Sequence, residues 1–270
     1  MLNNLSGQKM SKSLTLNKMG MQKFRIWLAE KRYNSRPKYL TDWNKEHIET
    51  LERDGIVVIP DFLPQEEFEM LERDCLHALD TIEKDTVRED GPNFYTNISS
   101  KKLQGYASIK AAFNHPKIKE LFNAAERRKF EMGDITTLLA CLIQGEDNGR
   151  EDPETVLHED TFHNTHKAWL YISDVEYSNA PFVYVKESHK NDVTERYKRA
   201  YEYSCREERI HSRRIDLQEL DELNLKETSF LAKKNTLVLA NTLGFHKRLR
   251  GTPGHNRVAL AFSARFNPFI

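Results

Sequence analysis

The chain has few cysteines, no long apolar run and no excess of either charge. Its three cysteines, Cys75, Cys141 and Cys205, are odd in number and far apart, with no Cys-x-x-Cys pair. That excludes a disulfide framework and points to a reducing, cytoplasmic location with free thiols. The longest apolar stretch, near Leu138–Ile143, is too short to cross a bilayer. The 41 acidic residues balance the 41 basic ones, so no global field draws the chain to nucleic acid or to a membrane. Nor is there a basic stripe interleaved with aromatics. Acidic residues are missing before Glu30. The segment Met1–Gln22 is rich in Ser, Asn and Lys without an apolar stretch, which excludes a secretory signal. It reads as a disordered leader, residues 1–22, ahead of a single domain, residues 23–270.

Apolar residues make up 39% of the 270 positions and aromatics 10%, enough to build one sizeable core. The first part, about residues 23–132, reads as mainly helical. Ile56–Ile59 is a short strand, Pro64 opens a helix carrying Phe68, Leu71, Cys75, Leu76 and Leu79, and another helix runs from Pro116 through Phe130. Asp85–Asn97 reads as a loop. From about residue 133 the texture changes to short β-branched runs separated by turns. These are Ile135–Ile143, Val156–Asp160, Lys167–Ser173, Phe182–Val185, Thr236–Ala240 and Arg257–Arg265. A charged insert, about residues 191–223, contains a helix over Val193–Arg209. The expected fold is mainly β with flanking helices, its core over residues 133–270.

The pair His158 and Asp160, in Leu157-His-Glu-Asp160, stands out. On a strand, alternate side chains share a face, so these two point the same way and Glu159 points opposite. His246, after the apolar strand Leu237–Ala240 and a bend near Gly244, can complete the set. Two imidazoles and one carboxylate on one face of a metal leave the other face open, the ligand arrangement of non-haem Fe(II) oxygenases. Other readings remain at this stage: a hydrogen-bonded strand histidine at His158, or a zinc site of His158, His163 and His166. His189 and His255 read as loop residues and His211 as a surface residue. Arg257 opens the last alternating strand, eleven positions after His246, where a guanidinium can hold a carboxylate in two-point geometry.

Taken in order, these pieces resemble the phytanoyl-CoA dioxygenase family of Fe(II)/2-oxoglutarate oxygenases. The matching segments are Asp54-Gly-Ile-Val-Val-Ile-Pro-Asp-Phe-Leu63, Leu157-His-Glu-Asp-Thr-Phe162, Lys167-Ala-Trp-Leu-Tyr-Ile-Ser-Asp-Val175, Ala180-Pro-Phe-Val-Tyr-Val-Lys-Glu-Ser-His-Lys190, and His246 with Arg257. The resemblance implies a double-stranded β-helix, or jelly roll, of cupin-like form. It implies Fe(II) held by His158, Asp160 and His246 as metal and catalytic residues, with 2-oxoglutarate anchored by Arg257, and O2 as oxidant. The implied reaction is hydroxylation of a small-molecule substrate with release of succinate and carbon dioxide; desaturation, epoxidation or cyclisation at the same site is the alternative. A non-catalytic metal-binding, cupin-like sensor is the alternative of another class. Ala180 stands where the family has glycine, and Lys186-Glu187 where it has proline-glycine. Asp160 is retained, whereas halogenating relatives lose that carboxylate.

Lys167 is expected to assist Arg257 in binding the co-substrate, or to hold an anionic substrate. Trp169 and Tyr171 share its face and read as core. Arg196–Arg214 and Gly244–Arg257 each carry an excess of basic residues, which reads as a positive rim for an anionic or carrier-linked substrate. Neither the substrate nor the oligomeric state is legible.

Overall fold

The computed structural model describes residues 10–191, 193–209 and 212–270. Twelve strands form two antiparallel sheets among the described residues. The larger has the order β1-β10-β6-β12-β4-β3-β2 and the smaller β8-β5-β11-β7-β9. In chain order the strands are β1 (Ile56–Ile59), β2 (Thr86–Asp90), β3 (Asn93–Ser99), β4 (Thr136–Ile143), β5 (His158–Glu159), β6 (His166–Tyr171), β7 (Phe182–Val185), β8 (Arg213–Arg214), β9 (Glu227–Phe230), β10 (Leu237–Asn241), β11 (His246–Arg248) and β12 (Asn256–Ser263). The helices are α1 (Leu14–Lys18), α2 (Met21–Ser35), α3 (Lys45–Asp54), α4 (Gln65–Thr81), α5 (Ala107–Phe113), α6 (Pro116–Ala125), α7 (Thr194–Ser204) and α8 (Leu217–Glu222). This is the expected jelly roll with helices outside it. No helix among the described residues is long and apolar enough to cross a membrane.

Alternation sorts each strand of the large sheet into two faces. On β6 and β12, Ala168, Leu170, Val258, Leu260 and Phe262 join the main core. That core is closed from outside by Ile48 and Leu51 of α3, Phe68 and Leu71 of α4, Phe113 of α5 and Leu121 of α6. The other face, with Lys167, Trp169, Tyr171, Arg257 and Ser263, looks into the space between the sheets. On α4, Phe68, Leu71 and Cys75 are buried as expected, but Leu76 is 48% exposed and belongs to the solvent face.

Several boundaries differ from the sequence reading. Asp85–Asn97 is no loop: it forms most of the β2–β3 hairpin, and β3 pairs with β4 along Phe94↔Ile143 to Ser99↔Leu138. The N-terminal part therefore adds three strands, β1, β2 and β3, to the large sheet. The helix begun at Pro116 stops at Ala125. The insert helix is shorter than Val193–Arg209, and the insert also contributes β8, paired with β5 through His158↔Arg214 and Glu159↔Arg213.

The leader is packed from residue 10 onward; residues 1–9 lie outside the described residues, as does His211. The Ser13 hydroxyl caps α1 by accepting from the Leu16 N–H. Fully buried Asn17 donates to the carbonyls of Ser11 and Ser204, each at 2.9 Å. Arg25 of α2 stacks on Phe162, 4.4 Å from its ring centre.

The expected reversal at Glu159 is present. Its buried carboxylate takes 2.9 Å and 3.2 Å contacts from Arg196 and Arg213, and Arg213 continues to Glu219 at 2.7 Å. Both guanidinium groups lie over the Phe245 ring. These basic residues of the insert thus sit behind β5, matched by acids, and do not form a positive rim. Removing one partner of such a cluster leaves buried charge unmatched. Glu159→Ala is expected to lower unfolding stability by about 3 kcal/mol or more, and Glu159→Gln by less. Chemical denaturation measures this, and an unchanged midpoint in the alanine variant would refute it.

Candidate metal centre

The site is built across one pair of strands. His158 on β5 lies directly opposite His246 on β11, and their rings are 4.5 Å apart between centroids. Each ring is tied the same way: Nδ1 donates to the carbonyl two residues earlier, Val156 for His158 and Gly244 for His246, both at 2.8 Å. A proton fixed on Nδ1 leaves the Nε2 lone pair for a metal. Asp160 enters from the end of β5, where its N–H donates to the Thr242 carbonyl at 3.0 Å. Its Oδ1 lies 3.8 Å from His246 Nε2. One ligand atom from each of the three residues lies within 4.8 Å of the other two. That is near the span one ion bridges with ligand distances of about 2.0–2.2 Å.

The turn before β11 sets this register. Gly244 N–H donates to the Asn241 carbonyl at 3.0 Å. A Cβ on Gly244 would fall 1.9 Å from the Tyr184 hydroxyl oxygen. Glycine therefore lets β7 pack closely enough to pair with β11 through His246↔Tyr184.

The electrostatics suit a cation. Burial alone would raise the Asp160 carboxyl, but Lys167, with its Nζ 2.6 Å from Oδ2, and the two imidazoles hold it well below the usual carboxylate range. Burial pushes the His246 imidazole down to about 3, so it stays neutral and able to ligate. The alternative zinc set does not assemble. His166 points to the helix side, its Nδ1 2.8 Å from the Glu126 carboxylate, while His163 Nδ1 donates to the Asn164 carbonyl.

The three residues open onto a cavity of about 400 Å³ between the sheets, and Arg257 lines the same space. One guanidinium nitrogen of Arg257 donates to the Ala180 carbonyl. Burial lowers its pKa, and Tyr171 and Tyr95 lie nearby. No carboxylate among the described residues lies within ion-pair distance of it.

With this geometry in place, comparison with known proteins is decisive at the family level. Residues 51–239 match the family described as phytanoyl-CoA dioxygenase (PhyH). The chain belongs to the PhyH family. It is thus a non-haem iron, 2-oxoglutarate-dependent oxygenase that uses O2. The matched span contains His158 and Asp160 and stops before His246 and Arg257, which the fold brings to the same cavity. No curated protein sequence matches significantly. Among solved structures, the epimerase SnoN in complex with Fe3+, alpha ketoglutarate and nogalamycin RO is similar at 15% identity and TM-score 0.57, covering 80% of each chain. The carbocyclase SnoK from nogalamycin biosynthesis is similar at 16% identity and TM-score 0.55, over 85% of this chain and 86% of that one. EctD from S. alaskensis with bound Fe reaches 14% and 0.53, over 84% of this chain and 78% of that one. At such identities these likenesses concern the fold.

Several residues of this PhyH cavity escaped the sequence reading. Trp169 and Tyr171, read as core, line it, as do Arg88 and Tyr95 of the β2–β3 hairpin, and Glu154. Neither the hairpin segment Asn93-Phe-Tyr-Thr-Asn-Ile-Ser99, which has no regular alternation, nor Glu154 carried a signal in the sequence.

Two outcomes are expected. His158→Ala should abolish tight Mn(II) binding, while Lys167→Met, which only releases Asp160, should weaken it roughly 10-fold; equal effects, by calorimetry, would refute the ranking. The second concerns pH. His246 has a folded pKa near 3 against an ordinary 6.5, so the unfolded chain binds the proton that the folded one refuses. Metal-free protein should therefore be most stable above the unfolded value and lose about 2 kcal/mol from this group between about pH 8 and about pH 5. His246→Gln should flatten that part of the stability curve.

Proposed function

We propose that this oxygenase hydroxylates a C–H bond of a small metabolite, with iron on His158, Asp160 and His246 and 2-oxoglutarate anchored by Arg257. The observation that carries the reading is Arg257 itself: a half-buried guanidinium with no carboxylate partner among the described residues, lining the cavity of the three-ligand group. A cation partly withdrawn from water and left unmatched is costly, and a diacid chelated at one end meets that need with the other. When bound, the iron would activate O2 with the keto acid as two-electron reductant, one oxygen atom going to succinate as carbon dioxide leaves and the other to the substrate.

The protein's own part is positioning. Arg257 takes the far carboxylate by two-point hydrogen bonding, its plane steadied by the Ala180 carbonyl. Lys167, expected beside the co-substrate, is assigned instead to Asp160, keeping that carboxylate ionised and aimed at the metal. Trp169 and Phe182, with ring centroids 5.1 Å apart, wall the cavity against water. Retention of Asp160 supports hydroxylation over halogenation. Product mass separates the alternatives: a gain of oxygen for hydroxylation or epoxidation, a loss of two hydrogens for desaturation or cyclisation. A metal-holding sensor would not require an unmatched arginine in the same cavity.

Arg257→Ala is expected to weaken 2-oxoglutarate binding to the anaerobic iron form at least 10-fold, with metal affinity kept, and Arg257→Lys to recover only part. Binding that is unchanged in Arg257→Ala would refute the anchor. No keto-acid binding by the intact protein would refute the function.

A further inference from the structure

The cavity carries six cationic side chains, those of Arg88, Lys167, Lys247, Arg248, Arg257 and Arg265, and only two acidic ones, those of Asp160 and Glu154. All but one of these cations are paired with an acid, Asp90 and Asp160 each serving two. Arg88 holds Asp90 at 2.7 Å, Lys167 holds Asp160 at 2.6 Å, and Lys247 holds Glu227 at 2.8 Å. Arg248 bridges Asp90 and Asp152 at 3.0 Å and 2.9 Å, and Arg265 lies 3.8 Å from Asp160. Arg257 is the exception, and the keto acid accounts for it.

Glu154 is the converse exception. No lysine or arginine among the described residues lies within ion-pair distance of its carboxylate; Arg88, whose charge feels it, is already bonded to Asp90. Its Oε2 lies 3.8 Å from His158 Nε2, the nitrogen that faces the metal. A bound metal takes the lone pair of that nitrogen, so this imidazole cannot then serve as a charged partner. The Glu154 side chain is 40% exposed, but the backbone that carries it is fixed. It sits in the turn Pro153–Thr155, and its N–H donates to Asp152 Oδ1 at 2.9 Å. Asp152 is only 2% exposed, clamped by Arg248 and by Asn93 at 2.7 Å. Arg248 lies two residues after His246 on β11, so one frame fixes both that strand and the backbone from which the Glu154 carboxylate projects.

We infer that Glu154 is a specificity-determining residue that binds a protonated amine of the substrate beside the open face of the metal. This rests on the oxygenase reading above. A carboxylate in a half-enclosed cavity gains most from a charge-assisted donor, whereas an anionic substrate would meet like charge there. The substrate class is therefore an amine, with the oxidised C–H close to the ammonium group.

The test uses the anaerobic Fe(II)- and 2-oxoglutarate-loaded protein and three probes of one carbon skeleton: pentylamine, 1-pentanol and pentanoate. Calorimetry should find the amine bound at least 10-fold more tightly than either other probe. Glu154→Gln should cut that preference to about 2-fold, and Glu154→Lys should turn it toward pentanoate. The inference is overturned if the intact protein shows no amine preference, including no binding of any probe, or if the preference survives Glu154→Gln. It is equally overturned if Glu154→Gln lowers Mn(II) affinity about 10-fold, which would make Glu154 a metal ligand. Failure of the oxygenase reading is seen separately, as absent 2-oxoglutarate binding by the unsubstituted protein before any probe is added.

Discussion

The cross-strand pairing of His158 with His246 is the constraint on which the rest depends. Two short strands, from segments far apart in the chain, must meet in one register, since a one-residue slip of either would turn its imidazole to the face opposite the other. β5 and β11 are too short to fix that register by themselves. It is fixed from both sides. Tyr184 on β7 pairs with His246 and presses its hydroxyl against Gly244, donating to the Asn241 carbonyl at 2.8 Å. Arg213 and Arg214 on β8 pair with β5, and the Arg213 side chain reaches the reverse face of Glu159.

The two faces of β5 divide the work by charge. Toward the cavity the strand end offers one ionised carboxylate, Asp160, paired with Lys167. Away from it, Glu159 is enclosed by Arg196 and Arg213. Each acid has a cation close by, so the strand carries two negative charges through the interior without leaving either uncompensated. Two of the six arginines of the insert, Arg196 and Arg213, thus face inward to brace β5. A charge count along the sequence could not tell this from a solvated basic face.

What was legible in the sequence was whatever follows a period. The strands Ile56–Ile59 and Phe182–Val185 appear with the expected bounds, and the two-residue alternation placed His158 and Asp160 on one face and Glu159 on the other. Arg257 was likewise readable, from an eight-residue strand with clean alternation. What was missed depends on partners. Asp90-Gly-Pro-Asn93 looks like loop, yet Gly91 and Pro92 only form the turn between β2 and β3; the strands exist because β4 offers an edge for β3. β8 has two residues and no pattern of its own. The role of Lys167 was open for the same reason: alternation shows that it faces the cavity, but only the folded chain shows that Asp160 lies nearer to it than Arg257 does.

The departures from the family pattern are the most instructive part of the chain. Ala180, where the family has glycine, has φ +55°, and Glu187, at the second such position, has φ +69°. Both keep a left-handed backbone that glycine adopts freely and that costs an L-residue about 1–2 kcal/mol. Each residue holds a backbone that its own side chain disfavours, which calls for a compensating constraint. At Ala180 the constraint is visible: its carbonyl receives the Arg257 guanidinium, and Pro181 leads directly into β7, the strand that fixes His246. An extended residue at 180 would turn that carbonyl away and leave the arginine without its steadying contact. The position is thus determined by what its oxygen does for Arg257, and the identity of its side chain is secondary. At Glu187 the side chain holds Lys190 at 2.8 Å and the N–H donates to the Asp54 carbonyl at 3.1 Å, so local contacts offset the same strain. At both turns the left-handed backbone is thus held by contacts of the residue itself, and at 180 that backbone is what keeps the carbonyl on Arg257.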